Sequence, residues 1–279
     1  MRNKSLTALF GDKAKLGFPL DNLDSAIKKY GELRTFFSKY RNPIGIELEI
    51  ENVDSDFVYK MEDSIYWVNH EDNSLKHRGM EFVSHPIHGQ NIDYAIHEFN
   101  IKSIGEDFEY SVRTSTHVHV NVSFMMYEEL LSLILLSAYV EPLLYTLCSP
   151  DRKGNPYCYS ITLLSPQDAL QFNEDMKYCG INLAPIPKQL TVEYRQLHGT
   201  RDFRLIRRWV QLLCKLQYFA KTVPHKEVKM LLRDAIRTRS HGNLLKRIWG
   251  ASLTLFPMFD PVNDNLLWIV SAIEYMENL

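Results

Sequence analysis

Between Ile44 and Glu51 the chain reads Ile-Gly-Ile-Glu-Leu-Glu-Ile-Glu, an unbroken alternation of apolar and other residues. A period of two admits one local structure, a β-strand with one buried face. Ile44, Ile46, Leu48 and Ile50 make that face, and Gly45, Glu47, Glu49 and Glu51 make the other. Side chains two apart on a strand stand about 7 Å from one another, so the carboxylates repel. Either water solvates the row, or a divalent cation held by oxygen ligands offsets the repulsion. The strand alone leaves both open.

The same period recurs at 114–124. Thr116, Val118, Val120, Val122 and Phe124 share one face, and Ser115, His117, His119, Asn121 and Ser123 share the other. A strand at 80–84 carries Glu81, and one at 190–197 carries Glu193 and Arg195 opposite Val192 and Tyr194. The stretch 44–53 reads as one strand, 57–68 contains a second extended stretch that includes Tyr66, Trp67 and Val68, and a turn follows at 70–74. Helical spacing appears at 25–40, where Asp24 is the expected N-cap, and from 94 onward. It returns at 127–148, in a helix expected to bend or break at Pro142. Further helices are expected at 166–177, 202–221, 225–237, 242–249 and 265–278. Segregated strands and helices argue an α+β fold rather than βαβ units. No composition shift marks a linker, so 1–279 reads as a single domain. Within it, 1–20 is an arm and 222–279 a helical C-terminal part.

Composition removes several classes. The net charge is -2 and the pI about 6.6, which gives no electrostatic footprint for nucleic acid. The four cysteines have no C-x-x-C spacing, so they read as reduced thiols rather than a zinc cluster. The apolar run 130–140 is too short to span a bilayer and is flanked by Glu128, Glu129 and Glu141. No secretory signal is apparent, so the expected location is cytoplasmic. Neither a P-loop, nor a dinucleotide glycine motif, nor a G-x-S-x-G elbow is present.

What remains is a set of polar groups on strand faces: Glu47, Glu49, Glu81, His117 and Glu193, with Arg195 beside them. Each alone is commonplace on a surface. One antiparallel sheet could gather all of them, and four carboxylates with an imidazole suit magnesium or manganese. Arg195 there would clamp a phosphate or carboxylate, and Arg152, in the turn-rich segment 149–159, could be a second clamp.

Six short motifs then stand in order: Gly45-Ile46-Glu47-Leu48-Glu49, Asp72-Asn73-Ser74-Leu75, Gly79-Met80-Glu81-Phe82-Val83-Ser84, His117-Val118-His119-Val120, Thr191-Val192-Glu193-Tyr194-Arg195 and Gly199-Thr200. Together, over about residues 42–220, they resemble the amidoligase family, relatives of glutamine synthetase and glutamate–cysteine ligase found in phages and bacteria. Asn73 stands where that family usually has glycine, and asparagine tolerates the same turn. Thr116 stands where a small or apolar residue is common.

The resemblance implies a glutamine synthetase-like antiparallel sheet, flanked by helices, whose concave face holds ATP and divalent metal. It implies an ATP-dependent ligase that joins a carboxylate substrate to an amine substrate through an acyl phosphate, in a bacterial or phage-infected cytoplasm. Glu47, His117 and Glu193 would share a metal near the ATP phosphates, with His117 thereby also at the nucleotide. Glu49 and Glu81 would share another. Arg195 would stabilise the transferring phosphoryl group, and Arg152 fits the family's arginine-bearing loop. Asp72 is a candidate base by position. Two other readings stay open: a metal-dependent hydrolase or nuclease using the same carboxylates, and a non-catalytic interaction protein.

Overall fold

A computed structural model describes residues 4–10, 23–33, 37–255 and 263–278. In chain order its helices and strands are α1 (Leu6–Phe10), α2 (Leu23–Tyr30), β1 (Ile44–Ile50), α3 (Ser55–Met61), β2 (Trp67–Glu71), β3 (Met80–Ser84), α4 (Asn91–Lys102), β4 (Thr116–Asn121), α5 (Tyr127–Tyr145), α6 (Pro166–Ala169), β5 (Ile181–Asn182), α7 (Ile186–Gln189), β6 (Thr191–Tyr194), α8 (Phe203–Thr222), α9 (His225–Thr238), α10 (His241–Trp249) and α11 (Asn263–Glu277). The fold is α+β, and the strand pairs β1/β3, β1/β4, β2/β3 and β5/β6 are all antiparallel. The chain divides into two compact units. One holds 15–121 and 197–211; the other holds 1–14, 122–196 and 212–279.

The first unit is built on strands β2, β3, β1 and β4. Its apolar face is the one the alternation specifies: Ile44, Ile46, Leu48, Ile50, Phe82, Val118 and Val120 are all buried. An aromatic cluster seals this face against the helices. The Phe99 ring of α4 lies 5.3 Å from Phe82, 5.1 Å from Trp67, 5.8 Å from Phe57 and 6.0 Å from Phe203. Edge-to-face contacts of this kind add to the burial energy. Buried Glu98 ties α2 to the segment before β2, accepting from the Tyr30 hydroxyl and Ser64 Oγ, both at 2.6 Å.

In the second unit α5 is apolar on every side, as a central helix must be, and α9 and α11 pack against it. It runs through Pro142 without breaking. A proline cannot bond the carbonyl four residues back, here that of Ala138, and Asn265 Nδ2 donates to that carbonyl instead at 2.8 Å.

Three local expectations need correcting or refining. The extended stretch expected within 57–68 is present from Trp67, where β2 begins, but residues 57–61 before it are helical. Asp54 caps the Asp56 N–H at 2.9 Å, and Phe57 and Met61, four apart, are buried on one side of α3. The expected helix at 25–40 stops at Tyr30, because Gly31 takes φ +75°, the left-handed end favoured by glycine; 34–36 lie outside the described residues. The turn expected at 70–74 begins later, since β2 continues through Glu71. Of the expected arm 1–20, residues 11–20 lie outside the described residues. In the part that is described, Leu6 is buried and its N–H reaches Met125 O at 3.2 Å.

The β2–β3 connection is a tight one. His77 and Arg78 hold φ near +50° and +56°. The Lys76 N–H reaches buried Glu51 at 2.8 Å. A Cβ on Gly79 would stand 2.1 Å from Leu75 Cβ, so this position requires glycine.

Candidate metal centre

Register assembles the centre. Residues directly opposite in an antiparallel pair share a face. Glu49 lies opposite Glu81, Glu47 opposite His117 and Gly45 opposite His119. Gly45 borders His119 directly: a Cβ there would sit in ordinary contact, 3.5 Å from His119 Cβ. Three strands thus bring three carboxylates and two imidazoles onto the face turned from the core. The face is not solvated like an ordinary surface: the side chains of His117, Glu49, His119 and Glu47 are 2, 9, 14 and 20 % exposed.

A chain of polar contacts links them. Ser115 Oγ donates to Glu49 Oε2 and meets His117 Nε2 at 2.6 Å. His117 Nδ1 faces Glu47 Oε2 at 3.1 Å, and His119 Nε2 faces Glu47 Oε1 at 3.0 Å. The His117 ring thus lies between the Ser115 hydroxyl at one nitrogen and the Glu47 carboxylate at the other. Burial pushes the Glu47 carboxyl up, but hydrogen bonds from His117 and His119 outweigh it and hold the group well below the usual range.

Glu49, Glu81 and His117 each offer a ligand atom, and the three atoms lie within 4.8 Å of one another. Two hard oxygens and a borderline imidazole fit magnesium or manganese. Directly opposed like charges destabilise a sheet, so a cation between Glu49 and Glu81 would remove a cost that register imposes.

In the other unit, Glu193 is buried on β6, opposite Asn182 of β5. Its carboxylate accepts from Asn182 Nδ2 at 2.6 Å and from Arg195 Nη1. The expected pairing of Glu193 with Arg195 on one face is therefore present, although Arg195 lies one residue past the end of β6. The Arg195 N–H bonds Gly180 O at 2.8 Å and so keeps the strand's alternation.

Arg152 is 2 % exposed, and its guanidinium is turned onto main chain. Nε donates to Gln196 O at 3.2 Å and Nη2 to Arg195 O at 2.5 Å. That geometry fixes the backbone on which Arg195 sits. Arg152→Ala should therefore cost about 2–4 kcal/mol in chemical denaturation, as buried carbonyls lose charged donors. An unchanged midpoint would show that the residue does not hold the backbone. Asp72 closes its own turn, accepting from the Ser74 N–H at 2.8 Å.

Two contributors went unassigned in the sequence. Ser115 shares the parity of His117 and His119, but a serine there carries no signature of bridging. Asn182 lies in a segment that carries no strand signature, and only the β5/β6 register reveals it. No protein-family model matches the chain, and no curated protein sequence matches it.

Proposed function

We propose that the protein is an ATP-dependent carboxylate–amine ligase that uses magnesium or manganese and works through an acyl phosphate on a glutamine synthetase-like sheet. The observation that carries this reading is the directly opposed pair of buried Glu49 and half-buried Glu81, with buried His117 at the third corner. The ordered motifs supply the rest of the assignment. In this reading Glu49, Glu81 and His117 hold a cation. Glu47 and Glu193 act at the nucleotide with His117. Arg195 offers paired donors to the moving phosphoryl group, and Asp72 is the candidate base. A bound divalent cation would neutralise phosphate charge that otherwise repels the attacking carboxylate. The γ-phosphoryl passes from ATP to a carboxylate oxygen, leaving ADP. The amine nitrogen then displaces phosphate and loses one proton to a base.

The test is ADP release over a panel of carboxylates, amino acids and amines, each with magnesium or manganese. ADP and an amide forming together, only when both substrates are present, support the ligase. Metal-dependent hydrolysis without ATP would instead make the centre hydrolytic. Absence of both activities and of metal affinity would leave an interaction protein.

Metal affinity gives a separate check. Glu49→Gln and Glu81→Gln should each weaken manganese binding by at least about 100-fold in calorimetry. The apolar faces of both strands are untouched, so the fold should persist. Affinity should also fall at acid pH, because ligand atoms must be deprotonated to hold a cation. Unchanged affinity in both variants removes the proposed ligands.

A further inference from the structure

Strand β2 ends the sheet: β3 pairs with one of its edges, and no described strand pairs with the other. Natural edges are usually blunted by lysine, proline, a bulge or a covering segment. The sequence of β2, Trp-Val-Asn-His-Glu, has no lysine or proline. Val68, His70 and Glu71 are exposed.

A groove of about 970 Å³ runs beside it. One wall is a single stripe of α3 and the residue after it: Ser55, Val58, Tyr59 and Glu62, at spacings of 0, 3, 4 and 7. The other wall is residues 69–71 of β2, continued by the turn into β3. An edge with no described strand partner, whose residues 69–71 meet a groove walled by a helix stripe, suits strand addition. Main-chain bonds bind the guest along the edge, and alternate side chains drop into the groove. Five residues of strand give a track of roughly 17 Å, enough for a short extended segment.

Charge selects the guest. The lining holds three carboxylates, Glu62, Glu71 and Asp72, against one guanidinium, Arg78. Tyr59 is 75 % exposed beside them and offers a ring face to a cation. A second copy of this chain would bring the same acidic lining against itself. We propose that this groove binds an extended peptide bearing lysine or arginine at alternate positions, which adds a strand to β2. The inference does not rest on the ligase reading.

The experiment is fluorescence anisotropy, without ATP or metal, on the full chain with a labelled decapeptide of alternating valine and lysine. Saturable binding that weakens with salt is expected. An alternating valine–glutamate peptide should bind at least about tenfold more weakly. Of two lysine peptides N-methylated at odd or at even positions, one should lose at least about tenfold, because one edge of the guest supplies the main-chain bonds. The double variant Glu62→Lys/Glu71→Lys should lose about tenfold with an unchanged thermal midpoint; both positions are exposed, so folding should survive. Equal binding of the acidic peptide, or indifference to both methylation patterns, overturns the proposal. So does a dimer of the free protein, by light scattering, that Val68→Lys dissociates, since a second copy would then own the edge.

Discussion

Val120→Asp should unfold or severely destabilise the protein, by about 4 kcal/mol or more in denaturant titration. Val120 is fully buried on β4, opposite Ile44 on the apolar face of the first unit. A carboxylate there has no partner and must either desolvate or take up a proton, and both are costly. His117→Ala, three residues earlier, is the matched control on the opposite face. Sequence alone expects little stability loss from it. The structure raises that expectation: His117 is 2 % exposed and separates Glu47 from Glu49. Losing it should cost about 1–3 kcal/mol, the desolvation of partners left unpaired. The sharper contrast is with metal. Saturating manganese should raise the melting temperature of the wild type, by linkage to the folded state, and should fail to raise that of His117→Ala. If Val120→Asp is the milder variant and His117→Ala the one that unfolds, β4 faces the other way.

The strand faces were legible because a period of two leaves no freedom once one face must be buried. That placed Glu47, Glu49, Glu81 and His117 on one side before any pairing was known. Pairing itself was not legible: nothing local to Glu49 says that Glu81 stands opposite it rather than Val83. Ser115 illustrates the limit, since its role exists only because register sets it between a carboxylate and an imidazole. The helix α3 escaped for a different reason. With one turn of buried contacts, Phe57 and Met61, it is too short to show a period, and its clearest mark is the cap at Asp54. That the helix continues past Pro142 was not legible, because the donor that satisfies the freed carbonyl, Asn265, lies 127 positions away. Arg152 reads in sequence as a polar loop residue, while its buried guanidinium is committed to the carbonyls of Arg195 and Gln196. A sequence shows which groups are charged but not which of them will be turned inward to satisfy main chain.

Under the proposed ligase reading, Arg195→Lys should keep most ATP affinity and lower turnover by about 10²-fold or more. The side chain is 17 % exposed and held by Glu193, itself fixed by Asn182, so its orientation is set before any substrate arrives. Preorganised donors of this kind act where charge develops, and losing one typically costs about 10²–10³ in rate. Lysine preserves the charge and the pairing with Glu193 but presents a compact ammonium in place of a planar fork, so paired donation to a phosphoryl group is lost. Binding of ground-state ATP depends more on net charge and on cations, and it should change less. Stability should move by less than about 1 kcal/mol, since the strand contacts are untouched. Under the ligase reading the assay is ADP release with the substrate pair found in the panel, and kcat and KM are resolved separately. A fall in kcat with KM nearly constant places Arg195 at the transition state. A rise in KM for ATP with kcat unchanged makes it a ground-state contact, and wild-type values for both remove it from the reaction.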